Sequence, residues 1–130
     1  DSVAQLATAL PPAALMTMDA PTDSAFLWAL VRGRLREGCS PASALAGVVD
    51  EVLALAPRSR LNLLLHDGRR ITATTVNHSL WIRQGEGSVT LSSEPLDPAD
   101  PRWKPVPDLC LVEATASDHQ IRHAPDQGWT

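Results

Sequence analysis

Arg60-Leu61-Asn62-Leu63-Leu64-Leu65-His66, then Asp67-Gly68, then Ile71-Thr72-Ala73-Thr74-Thr75-Val76 is the stretch that decides the fold class. Two runs rich in strand-forming residues stand on either side of an Asp-Gly turn, an order that predicts a hairpin. The same period continues downstream through Ser79 to Arg83, a Gly85-Glu86-Gly87 turn, Val89 to Ser93, Leu109 to Glu113 and His119 to His123. Pro95, Pro98, Pro101, Pro105 and Pro107 interrupt it, so residues 95–108 are expected as a proline-rich surface loop, neither helix nor inner strand. Upstream the period changes to that of helices. Thr22 is a plausible cap and Asp23 a first-turn carboxylate for a helix carrying Phe26, Leu27, Leu30, Val31 and Leu35, ended by Gly38. Ser40-Pro41 opens a second helix, with Leu45, Val48, Val49, Val52 and Leu53 on one face until Ala56-Pro57. Residues 1–20, broken by Pro11-Pro12, are expected as a connector. Two helices followed by antiparallel strands predict an α+β fold with helices layered on a sheet.

The chain has 130 residues, 44% of them hydrophobic and 20% charged, with a mean hydropathy of −0.08, which suits one globular domain rather than a disordered tail. No apolar run approaches the roughly 20 residues that cross a bilayer, and no secretory signal opens the chain. A soluble, cytoplasmic protein is expected. The net charge of −4 comes with scattered arginines, which argues against a nucleic-acid or anionic-membrane surface. Cys39 and Cys110 have no C-x-x-C spacing and read as reduced thiols rather than a zinc or redox pair. The chain opens on Asp1 rather than Met, so a segment upstream is expected.

No complete catalytic machine is encoded by spacing: G-x-S-x-G, H-E-x-x-H and a Walker lysine are all missing. His119 and His123 have the spacing of helical metal ligands but lie in a strand, where exposed histidines are the ordinary case. His66 and His78 read as strand-end residues, and Asp97, Asp100 and Asp108 as turn residues of the loop. Trp28, among apolar neighbours on the first helix, is expected in the core. Trp103 either caps a ligand pocket or anchors the loop, with the anchor favoured. No metal and no cofactor is called for.

Four blocks taken together are more specific. Pro21-Thr22-Asp23-Ser24 before an apolar helix, Arg60 to Leu65, Thr72 to Thr75 and Ser93-Glu94-Pro95-Leu96 resemble the C-terminal half of class II glutamine amidotransferases. The tail from Trp103 to Asp108 narrows the resemblance to the ergothioneine-biosynthesis amidohydrolases among them, and Val76-Asn77 departs from the Trp-Gly pair expected there. The resemblance runs from about Pro21 to about Val112. It implies that residues 1–130 are the C-terminal portion of one four-layer αββα domain of the N-terminal nucleophile hydrolase type. In such an enzyme an N-terminal cysteine attacks a γ-glutamyl amide, its own α-amino group acts as base, and an Asn-Gly pair supplies the oxyanion hole. Neither lies in this chain, and Cys39 and Cys110 cannot replace the nucleophile because their amines are in peptide bonds. No catalytic residue is therefore expected here, and the implied partner is the N-terminal segment that carries the nucleophile.

By pattern alone Asp23 is a helix-end acid facing the dipole. The resemblance instead assigns its carboxylate to the α-ammonium of the glutamyl group, through charge-assisted hydrogen bonds. Trp103 is the second candidate substrate-binding residue. A non-catalytic α+β interaction or regulatory module is the alternative, and an upstream segment beginning with Cys would discriminate against it.

Overall fold

The computed structural model describes residues 23–124, and within them the chain divides into a helical unit and a β unit that meet at residues 58 and 59. The expected Thr22 cap and the connector 1–20 lie outside the described residues.

The helical unit is a pair, α1 (Asp23–Arg36) and α2 (Pro41–Leu55). Gly38 ends α1 as expected: it takes φ +94°, its N–H donates to Leu35 O and the Cys39 N–H donates to Arg34 O. That pair of bonds is a Schellman motif, whose left-handed residue only glycine adopts without strain. Ser40 caps α2 by accepting the Ser43 N–H at 3.1 Å, and Pro41 occupies the first turn, where its missing N–H costs nothing. Leu45, Val48 and Val49 are buried on α2, and Ala29, Leu30 and Val31 on α1. The helices also meet at their polar rims. The Arg34 guanidinium lies against Gly47, where a Cβ would stand 2.5 Å from Nη1, and reaches Glu51 at 3.1 Å. Trp28 departs from expectation, being 41% exposed. At 100° per residue it sits about 200° from Leu30, on the far side of the buried stripe.

The β unit holds β1 (Leu64–His66), β2 (Ile71–Thr75), β3 (Trp81–Gly85), β4 (Ser88–Ser92), β5 (Trp103–Pro105), β6 (Cys110–Ala114) and β7 (His119–His123). They form two antiparallel sheets, in the orders β1-β2-β6-β7 and β4-β3-β5. The Asp67-Gly68 hairpin is present: Asp67 Oδ1 accepts the Arg69 and Arg70 N–H groups at 2.9 and 2.8 Å, and Gly68 takes φ +97°. Those backbone donors hold the Asp67 carboxyl below its ordinary range. The strands do not continue as one meander, however. After β2 the chain turns at Asn77, φ +58°, and crosses to the second sheet, leaving β6 as the partner of β2 with Ala73 opposite Val112. A turn that fastens Asn77 N to Asp108 Oδ1 at 2.8 Å, and Thr75 Oγ1 to His78 O at 2.8 Å, redirects the backbone there.

The sheets pack face to face. Ala73, Cys110 and Val112 of one meet Leu80, Ile82 and Val106 beside the other, flanked by Ile71, Val89, Leu91 and Ile121. Full burial of an aliphatic side chain contributes roughly 1.5–3 kcal/mol, so this cluster carries the β unit. Residues 95–108 contain a short strand that the prolines did not suggest. β5 pairs with β3 through Trp81 opposite Pro105 and Arg83 opposite Trp103. It lies at a sheet edge, the one place where a proline without an N–H is tolerated in a ladder. Among the described residues no helix is long and apolar enough to cross a membrane.

Candidate functional site

The structure brings three of the four sequence blocks together. A cleft of about 190 Å³ opens between the β1 side of one sheet and the β4 side of the other. Asn62, Leu63 and Leu64 line it from the first block, Ala73 and Thr74 from the second, and Leu80, Leu91, Ser92 and Ser93 complete it. Both β1 and β4 are edge strands, so backbone groups as well as side chains face this region. Leu64, 57% exposed on β1, is an apolar residue left on that edge.

Side chains replace the hydrogen bonds of a regular ladder where the first two blocks run alongside each other. Leu61 N–H donates to Val76 O at 3.0 Å and Thr74 N–H to Leu63 O at 2.9 Å, so the strand register persists back to Leu61. The reciprocal positions are taken by side chains. Thr74 Oγ1 donates to Leu61 O at 2.7 Å and accepts the Leu63 N–H at 3.1 Å, and Asn62 Oδ1 accepts the Val76 N–H at 2.9 Å. The regular ladder therefore begins at Leu64, four residues later than the expected strand from Arg60. Asn62 Nδ2 donates onward to Ser79 O at 2.7 Å and His78 O at 3.3 Å, while Ser79 Oγ donates to Ser93 O at 2.7 Å. Sequence reading passed over Asn62 and Ser79. A polar residue inside an apolar run was the available signal for the first.

A second, more polar cleft of about 480 Å³ lies at the other edge of the larger sheet, lined by Arg70, Glu113, Thr115, Asp118, His119, Gln120 and Arg122. Glu113 receives two guanidinium groups there, Arg70 at 3.2 Å and Arg122 on its other oxygen. The four histidines stay apart in role. His119 Nδ1 pairs with Gln84 Oε1, His123 Nδ1 stands 3.5 Å from Cys110 Sγ, His66 Nδ1 accepts the Gly68 N–H, and His78 takes part through its carbonyl. Among the described residues no three His, Cys, Asp or Glu side chains gather as a metal site.

Of the two residues expected to bind substrate, Asp23 is the first residue of α1. Trp103 is buried, 7% exposed, and lines neither cleft. It is paired beside Arg83 and follows the turn in which its N–H donates to Asp100 O.

No family model matches the chain. A γ-glutamyl-hercynylcysteine sulfoxide hydrolase of Mycolicibacterium smegmatis is 37% identical over 95 residues, 73% of this chain and 39% of the relative. The hydrolase of the same name from Mycobacterium tuberculosis is 43% identical over 72 residues, 55% of this chain and 30% of the relative. The chain thus spans two fifths or less of the length of these curated relatives. Among solved structures, a glutamine aminotransferase class-II domain protein from Silicibacter pomeroyi matches with a TM-score of 0.69 at 20% identity, over 92% of this chain and 59% of that one. At that identity the likeness speaks for the fold, and the sequence relatives agree with the resemblance that the four blocks carry.

Proposed function

We propose that this chain is the C-terminal portion of a class II glutamine amidotransferase-type hydrolase that cleaves a γ-glutamyl amide, the γ-glutamyl hercynylcysteine sulfoxide of ergothioneine biosynthesis. The observation that carries the reading is the 37% identity over 95 residues to a hydrolase of that name. The nucleophile is an N-terminal cysteine outside these 130 residues. Its thiolate adds to the γ-carbonyl carbon, the amine leaves with a proton, and water then releases glutamate from the thioester.

This chain's share of the work is recognition. Asp23, at the start of α1, is assigned to the α-ammonium of the glutamyl group through charge-assisted hydrogen bonds. Within the β unit, the cleft between β1 and β4 is the candidate substrate surface, because three of the four resembling blocks meet there. Trp103 contributes by anchoring residues 95–108, in keeping with its burial.

Glutamate release from the γ-glutamyl sulfoxide by the full-length protein tests the proposal. Turnover that disappears on replacing the N-terminal cysteine with alanine is the expected result. A mature protein without such a cysteine, or one that binds without releasing glutamate, would return the chain to a non-catalytic α+β interaction module.

A further inference from the structure

Asn62 uses its whole amide at one place. Its oxygen takes the Val76 N–H and its nitrogen gives to the carbonyls of His78 and Ser79, so a single side chain fixes the start and the end of the turn from β2 to β3. That turn is the point at which the chain leaves one sheet for the other, and among the described residues no ladder hydrogen bond joins the two sheets. Ser79 continues the connection, giving its hydroxyl proton to Ser93 O at 2.7 Å. Asn62 and Ser93 lie on opposite walls of the cleft. The route Asn62, Ser79, Ser93 is therefore a polar tether between its two sides, added to the apolar packing of Ala73, Leu80 and Leu91 that also lines it.

We propose that Asn62 and Ser79 are positioning residues that set the width of this cleft by holding the Ser92-Ser93 wall against the Asn62-Leu64 wall. This rests on the γ-glutamyl hydrolase reading only where the substrate is concerned, because the tether itself is a property of the fold. A wall misplaced by a fraction of an ångström weakens binding without touching the reacting atoms, so its loss falls on KM before kcat.

The discriminating variant is Ser79→Ala in the full-length protein, which removes one exposed hydroxyl and no core contact. The expected result is a small drop in melting temperature, faster amide hydrogen exchange at residues 91–94, and a KM for the γ-glutamyl substrate raised about two- to tenfold, the range for one neutral hydrogen bond, with kcat nearly constant. Asn62→Ala should extend the faster exchange to residues 76–79 and raise KM further. Unchanged exchange in Ser79→Ala would overturn the tether, and faster exchange with unchanged KM would overturn its positioning role. If the unaltered protein releases no glutamate, the hydrolase reading fails. The exchange measurement needs no turnover, so the two failures are told apart.

Discussion

The Asp100 carboxylate accepts the Arg83 Nε–H at 2.8 Å, and this contact fastens the proline-rich segment to β3. Arg102 holds the same carboxylate from its own side, through Nε at 3.0 Å, Nη2 at 2.9 Å and its backbone N–H at 3.0 Å. The segment is thus folded around one acid, although five prolines deny it most ladder bonds.

The pH dependence follows from that acid. Hydrogen bonds from Arg102 first, and Arg83 after them, hold the Asp100 carboxyl far below its ordinary value of 3.8. A group whose folded value is depressed stabilises the fold above its unfolded value and loses that contribution as pH falls. Denaturation followed from neutral pH downward should show stability declining below pH 3.8, and Asp100→Asn should flatten this part of the profile. An identical acid limb in the variant would assign acid unfolding to other carboxylates.

Trp103→Ala should lower the melting temperature of the full-length protein steeply. Truncating a buried tryptophan costs about 3–5 kcal/mol, because the cavity adds to the lost transfer energy. Thermal melting paired with steady-state kinetics checks this. An unshifted melting temperature with a raised KM would place the indole against substrate instead.

Asp23→Asn keeps the shape and much of the capping capacity while removing the charge. A hydrogen bond to a charged group contributes about 1.5–3 kcal/mol, so kcat/KM on a γ-glutamyl amide should fall roughly ten- to hundredfold. The lost helix-dipole term, about 0.3–1 kcal/mol, leaves the fold intact. A substrate without the α-amino group should be poor for the parent and nearly indifferent to the substitution. Equal losses on both substrates would reduce Asp23 to a helix-end acid.

Ser40→Ala removes the side-chain bond that caps α2 and leaves the Ser43 N–H without that partner. The expected cost is about 1 kcal/mol, read as a lower denaturation midpoint, and Ser40→Asp should restore it. Activity measured below the transition should be unaffected.

What the sequence determined by itself is local. Gly38, Ser40-Pro41 and Asp67-Gly68 each act through the backbone of their own few residues, so the helix ends and the first hairpin could be read where they stand. The period of two likewise marked six of the seven strands, with His119–His123 found as expected. Pairing across the chain could not be read, because Ala73 opposite Val112 and a simple β2–β3 meander satisfy the same alternation. Only the turn held by Asn77 and Asp108, and the burial of both inner sheet faces, chooses between them. Trp103–Pro105 becomes a strand because β3 offers it an edge, and Trp28 is exposed because the buried stripe of α1 faces the other way. The candidate site belongs to the same class. Asn62, Thr74, Ser79 and Ser93 are ordinary polar residues in four separate stretches, and they come together beside one cleft only when two sheets set their carbonyls within reach of one another.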